Sequence, residues 1–249
     1  MKLLLQQKQR RKHLPNLSPQ ETEENRALAR FFFEQGGRSY RAVIGVDEVG
    51  RGALFGPVTV GAVLLSQHAW QLMPGESWFG SVKDSKLVKK PDREKLAPLL
   101  EAALPCAVAH VSVRYIDRHN INTAIRYGIY RAVQSLLART NFAAHEIRIV
   151  ADGNYRFEYP AVGMAKVMPR LDAYVKADQK YFPVSAASIV AKVKRDALIE
   201  SAARRFAGYG LERHAGYGTV AHREAIARLG ETIFHRKSFR GKAEHLRSV

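Results

Sequence analysis

A single cysteine, Cys106, stands in this chain of 249 residues. No intrachain disulfide can form, and no zinc cluster can be built from thiolates. The surroundings of that cysteine, "LPCAVAHVSV", read as a buried strand with the thiol as a small core residue. Long apolar runs are also missing: none approaches the ~20 residues of a membrane span. The opening "MKLLLQQKQRRK" has too short an apolar stretch for a secretory signal and lacks a small-residue cleavage site. A cytoplasmic protein with no membrane partner is therefore expected. Acids are the third shortage. Against 40 Lys and Arg stand 23 Asp and Glu, a formal net charge of +17. Solubility alone rarely calls for such an imbalance, and its commonest cause is a polyanionic partner, usually nucleic acid.

What is present is enough for a folded core, since 46% of the residues are apolar. Residues 1–39 differ from the rest. The first twenty contain five Lys or Arg and no acid, a basic arm. Ser18, Pro19 and Glu21 then form a capping signature. Leu28, Phe31 and Phe32 recur at helical spacing, and Gly36-Gly37 ends that element. The aromatic stripe is expected to pack on a neighbouring core. From residue 40 the pattern changes to strands. "YRAVIGVD" and "PVTVGAVLL" are short and β-branched, joined by a glycine-rich turn, and predict an antiparallel pair. A helix over 92–103, a strand over 106–115 and a longer helix over 118–139 follow. "EIRIVADG" predicts a short strand and "AYVKAD" another that ends at an acid. The Ala-rich stretch 185–206 has no interior Gly or Pro and predicts a long helix. A last helix is expected near 220–229. The order predicts an α/β fold, a mixed central β-sheet flanked by helices. An N-terminal helical extension (1–39) precedes a domain over 40–249 with a helical C-terminal part.

Three acidic positions end strand-like segments: Asp47 with Glu48, Asp152 in "RIVADGN", and Asp178 in "YVKADQK". Strand ends are where α/β sheets gather their sites. Four carboxylates brought together need compensating charge. All-oxygen ligation without a Cys or His pattern favours Mg²⁺ or Mn²⁺ over zinc. In a nucleic-acid binder, this set points to two-metal phosphodiester hydrolysis, with loaded ions attracting a backbone that bare acids would repel. One geometric condition applies. Neighbours on a regular strand point to opposite faces, so Asp47 and Glu48 share a site only if the pleat breaks. His110 and His119 have no ligand spacing and are expected to be structural, as are His214, His222 and His235. Asp84, Asp117 and Asp172 are expected to be surface or loop acids.

"GVDEVGRG", "DSK", "ADGN", "KAD" followed by "SAASIVAKVKRD", then "HAGYGT" and "HRKSF" together resemble ribonuclease HII, in that order from Val43 to Phe239. The resemblance implies a ribonuclease H-like fold and metal-dependent endonucleolytic cleavage. The partners it implies are RNA/DNA hybrids and duplex DNA carrying a single ribonucleotide, cut on its 5′ side, by a protein acting as a monomer. By position it makes Asp47, Glu48, Asp152 and Asp178 the catalytic, metal-binding acids. The backbone of Gly50, Arg51 and Gly52 would read the ribose 2′-hydroxyl, the group that separates RNA from DNA. Tyr217 would stack on the sugar that follows the ribonucleotide. Lys86, with Lys192 or Arg195, would hold phosphates, and amides near Ser185 could add to them. Arg51 could instead pair with Glu48. The chain departs from the family pattern at Ala177, before the last acid, and at Ala215, where a lysine is usual. Leu87-Val88 after "DSK" replaces the second lysine commonly seen. The interval from Asp152 to Asp178 is long, which leaves Asp172 as a rival fourth ligand. A DNA-cleaving or strand-transfer enzyme of the wider fold would lack a reader such as "GRG". The other alternative is a nucleic-acid-binding module of the same fold without turnover.

Overall fold

The computed structural model describes residues 27–153 and 168–239. The basic arm and the Ser18 capping signature lie outside them. Helical residues 27–33 (α1) lead into a two-residue hairpin, β1 (Glu34–Gln35) and β2 (Arg38–Ser39). Gly36 and Gly37, expected to end the helix, instead form the hairpin turn, with φ of 57° and 73°. Two successive positive φ angles suit a primed turn, and glycine takes them without strain. β3 (Ala42–Val49) and β4 (Val58–Ser66) pair antiparallel as predicted. The short α2 (Gln67–Leu72) was not signalled by any pattern. Helix α3 (Lys90–Ala103) and strand β5 (Cys106–Val111) follow.

The strand expected over 106–115 stops early, because the Ser112 hydroxyl accepts a hydrogen bond from the Tyr115 amide (3.3 Å) and starts α4 (Val113–His119). Asn120 then takes φ 67° and caps α5 (Ile121–Leu137) by accepting from the Thr123 amide (3.0 Å). The single long helix expected over 118–139 is thus two. β6 (Ile147–Asp152) and β7 (Arg170–Tyr174) complete the sheet, in the order β5-β4-β3-β6-β7. β3 runs parallel to β6, and β6 to β7, while the β4 and β5 pairings are antiparallel, giving the mixed sheet anticipated. β7 ends before Asp178, because Lys176 in the left-handed region (φ 59°) turns the chain into a 3₁₀ turn, Ala177–Gln179.

α6 (Phe182–Arg205) spans about 36 Å at 1.5 Å per residue. Its first half is buried on every side against one face of the sheet. Two glycines allow this close approach: a Cβ at Gly45 would lie 2.2 Å from the Pro183 carbonyl carbon, and one at Gly61 2.4 Å from the Ala187 oxygen. That face also takes in Phe32, Phe33 and Trp70; of the predicted stripe only Phe32 enters the main core, while Leu28 and Phe31 stay exposed and Phe31 stacks on Tyr181. α5 covers the opposite face, over Ile44, Val46 and Val60. The second half of α6 extends beyond the sheet. There α7 (Leu211–His214) and α8 (Val220–Leu229) gather a smaller core of Phe55, Ile199, Tyr209, Leu211 and Ala225. No helix among the described residues is long and apolar enough to cross a membrane.

Candidate active site

The alternation of β3 decides where its acids point. Val43 and Gly45 face α6, whereas Ile44 and Val46 face α5. Asp47 therefore falls on the α6 face and Glu48 on the other. β3 stays in continuous register with β4 through Val49, with Asp47 opposite Gly61 and Glu48 opposite Val60, so no bulge breaks the pleat. The opening lies on the other flank. The ladder between β3 and β6 ends at Val46 and Ala151, and both acids of β3 overhang it. Asp152, one residue past that last pair, shares the α6 face with Asp47. Its carboxylate accepts a hydrogen bond from the Ala177 amide (2.8 Å), which ties it to the turn that carries Asp178. Asp178 is buried, and the Ser185 hydroxyl donates to its carbonyl oxygen (2.7 Å).

These acids act on one another electrostatically. Burial and the charges of Glu48, Asp152 and Asp178 push the Asp47 carboxyl up to about 8, against a hydrogen bond from Ser188. Burial, then Asp152 and Asp84, raise Asp178, while Lys86 works in the opposite direction. The Lys86 ammonium stands 3.7 Å from the Asp178 carboxylate. Among the described residues, no three acids or histidines already close round a common point. An all-carboxylate donor set, with Asp47 and Asp178 buried and Glu48 and Asp152 half-buried, nevertheless suits a hard divalent cation, which supplies the positive charge that one lysine does not.

Asp84, expected to be a surface or loop acid, lies in a loop but is buried. It accepts from the Lys86 amide (2.9 Å) and from Gln179 (3.5 Å), and the Ser85 and Ser188 hydroxyls share a hydrogen bond (2.7 Å). The "DSK" loop is thus anchored to α6 and to the Asp178 turn. Its aspartate is read from the sequence as a surface or loop acid because a lone Asp before Ser looks like an ordinary turn residue. Asp172, the rival ligand, is spent elsewhere. It pairs with the fully buried Arg148 (2.8 Å) and with Arg170 (3.0 Å).

β3 continues directly into the Gly50-Arg51-Gly52 loop. Gly50 has φ 86°, and a Cβ there would lie 2.1 Å from Arg195 Nε. At Gly52 nothing lies within 4 Å of the corresponding position. One glycine admits an arginine from inside and the other leaves the outer surface open. Arg51 bonds Asn122 (2.8 Å) and lies 3.5 Å from the Glu48 carboxylate, the pairing foreseen as its alternative role.

Arg195 corrects an expectation. It has no exposed surface, and its guanidinium donates to the carbonyls of Phe55, Pro57 and Ala215. Burial among neutral carbonyls removes it from the reach of a phosphate; it holds the loop instead. Arg236, within the quoted "HRKSF" but not singled out, does the same by donating to Arg51 (2.9 Å) and Gly56 (3.0 Å). Burial and the nearby Arg195 push it down to about 9. Lys192 bonds Asp196 (2.9 Å) and lies 5.9 Å from the centre of the Tyr217 ring, at the same wall as the loop. Ala53 bridges to Tyr217, whose ring faces the Arg195 guanidinium at 5.4 Å. Ser185 lies in the second turn of α6, since the helix begins at Phe182; its amide is already bonded to Tyr181 (3.0 Å) and is not an open anion donor.

The family model described as ribonuclease HII matches residues 44–242. Ribonuclease HII of Parasynechococcus marenigrum is 40% identical over 201 residues, 80% of this chain and 82% of that protein. The crystal structure of ribonuclease H2 from Pyrococcus horikoshii is similar with a TM-score of 0.61 and 27% identity, covering 84% of this chain and all of that one. Bst-RNase HIII, solved in complex with Mn²⁺, is 20% identical with a TM-score of 0.60 over 82% of this chain and 70% of its own, and supports the fold alone.

Proposed function

The chain belongs to the ribonuclease HII family, and from that premise we propose that it cuts the RNA strand of RNA/DNA hybrids and incises duplex DNA 5′ to a single ribonucleotide, using Mn²⁺ or Mg²⁺. Membership makes it a type II ribonuclease H, a hydrolase dependent on divalent metal ions. The observation that carries the substrate reading is the continuity of β3. The strand that ends in Asp47 and Glu48 runs without interruption into the Gly50-Arg51-Gly52 loop. Acids that act on a phosphodiester and a backbone able to approach a ribose are thereby held a few residues apart.

Asp47, Asp152 and Asp178 would hold the metal from the α6 face. Glu48 leaves β3 on the other face, but its charge acts on Asp47 past the end of the β3–β6 ladder, and it would complete the set from the open edge. Bound there, divalent ions supply an activated water and stabilise the leaving 3′-oxygen, which gives a 3′-hydroxyl and a 5′-phosphate. The remaining work belongs to the chain. The exposed side of Gly52 lets the sugar approach the loop backbone, where the 2′-hydroxyl is recognised. Tyr217 presents a ring to the next sugar, braced from behind by Arg195. Lys86 stands at the rim of the acids, placed to meet a phosphate once a cation has taken over the charge of Asp178. Lys192 can reach the backbone by exchanging its bond to Asp196.

The test is one labelled DNA duplex with a single ribonucleotide beside its all-DNA twin, each incubated with the protein and Mn²⁺ or Mg²⁺, then with EDTA. The expected result is a metal-dependent cut on the 5′ side of the ribonucleotide, with the twin intact. Binding without a cut would favour the non-enzymatic module, and cleavage of the twin would remove the 2′-hydroxyl reading.

A further inference from the structure

Behind Tyr217 lies a group of histidines that the reaction does not use. His222 is fully buried and His235 nearly so, and their Nε2 atoms are 3.3 Å apart. The partners at each end fix the direction of the protons. The Thr232 amide can only donate, and it donates to His235 Nδ1 at 2.9 Å. A neutral His235 then carries its proton on Nε2 and donates it to His222 Nε2. At the far end, the Tyr217 carbonyl can only accept, and His222 Nδ1 stands 3.0 Å from it. His222 therefore has its proton on Nδ1 and an accepting Nε2. Both ends demand the same arrangement, a one-way chain from Thr232 through His235 and His222 to the backbone of Tyr217.

We propose that His222 and His235 are positioning residues for Tyr217: the directed hydrogen-bond chain they form fixes the loop that presents this ring to the substrate. The effect on recognition rests on the junction-reading role given to Tyr217 above; the effect on the loop does not. A protonated His222 would turn an Nε2–H toward the Nε2–H of His235, and a protonated His235 would turn an Nδ1–H toward the Thr232 amide; either breaks the chain. Burial opposes that protonation, pushing His222 down to about 4 and lowering His235. The other groups that face the pair are His214, stacked on His222 at 4.4 Å, Tyr209 at 5.1 Å from the His235 ring, and Glu231, which favours charge on His235. A group lowered in this way stabilises the fold above its ordinary value of 6.5, and that contribution is lost as the pH falls toward 4.

The test uses the full chain. His235→Leu removes the bonds of the ring to the Thr232 amide and hydroxyl and to His222, whereas His235→Gln keeps a donor directed at His222. Amide hydrogen exchange is followed at Tyr217 and Thr219, which bond within the loop to the carbonyls of His214 and Tyr217. His235→Leu should speed exchange at both by about tenfold, the loss of roughly one buried hydrogen bond, with β3 amides unchanged and His235→Gln close to wild type. In the wild type, the same two amides should lose protection, relative to β3, between pH 6.5 and 4. Unchanged protection in His235→Leu overturns the proposal. Should that variant not fold, absence of the pH-dependent loosening in the wild type overturns it instead. Cleavage is then compared between a single-ribonucleotide duplex and a long hybrid, with Tyr217→Ala as reference. A ratio altered by both Tyr217→Ala and His235→Leu supports the recognition role. A ratio altered only by Tyr217→Ala overturns that role, and one unmoved by Tyr217→Ala refutes the junction reading while the exchange data still judge the loop.

Discussion

Two buried charged regions flank the same loop and are balanced in opposite ways. On the α6 face, Asp47, Asp152 and Asp178 lie within reach of one another's charge with one lysine at their rim, and their negative charge is left unbalanced. Beneath Gly50-Arg51-Gly52, Arg195 and Arg236 are buried against carbonyl oxygens, to which Arg195 donates three hydrogen bonds and Arg236 two, with Arg236 Nη2 left without a partner among the described residues. The contrast separates recruitment from support. A carboxylate cluster with too few partners is costly to keep ionised until a cation arrives, so it serves as a binding site. Guanidinium groups surrounded by carbonyls are finished structure, and they shape the loop without meeting the substrate.

The sharpest way to break that contrast is to remove one charge from each region. Asp47→Asn should lower cleavage of the single-ribonucleotide duplex by about 10³-fold or more, because acids acting as a unit fail together. Duplex binding measured by fluorescence anisotropy should stay within about threefold, since the wider basic surface supplies most of it. Retained cleavage would take Asp47 out of the site. Arg195→Met should show the reverse order of effects. It leaves three carbonyls without their donor and should cost on the order of 3 kcal/mol in urea unfolding, with activity falling only as the loop loosens. A stable Arg195→Met protein with normal unfolding would mean that the carbonyls find water instead.

A second pair refines the acidic side. Asp172→Asn weakens the partner of the buried Arg148 and should destabilise the fold by about 3 kcal/mol while leaving Mn²⁺ affinity by calorimetry unchanged. Asp178→Asn should lower that affinity at least about tenfold with little loss of stability. Exchanged outcomes would make Asp172 the ligand.

What could be read from the chain follows the same division. The sheet and the long helix were legible because β-branched runs and an uninterrupted Ala-rich stretch leave local marks, and Asp47 and Asp152 do fall where the β3–β6 ladder ends. The "DEVGRG" and "SAASIVAKVKRD" segments also gave the family. Local capping was not legible at Ser112 and Asn120, where one side-chain bond outweighs the surrounding strand or helix pattern. Long-range partners were not legible at all. Arg195 reads as a phosphate ligand on an exposed helix face until Phe55 and Ala215 are seen to close over it. The open edge of the sheet was likewise invisible: a broken pleat at β3 stood as the condition for Asp47 and Glu48 to meet, whereas β3 keeps its pleat and the ladder to the neighbouring strand simply ends first.

The smallest expected effect concerns the metal-free protein and sharpens the idea that its acids are unbalanced. Asp47 is raised from 3.8 to about 8, so the folded chain holds this proton more tightly than the unfolded chain does. A raised carboxyl contributes stability that is fully present below 3.8 and lost as the pH rises through 8. In EDTA, Asp47→Asn should therefore melt at a higher temperature than the wild type at pH 9, by a few degrees for a domain of this size, and the gain should vanish near pH 4. Saturating Mn²⁺ should reverse the order at pH 8, because only the wild type keeps its full set of ligands. Parallel melting curves at every pH would show that the Asp47 carboxyl is already balanced within the protein, and the acidic region would then be finished structure like the arginines.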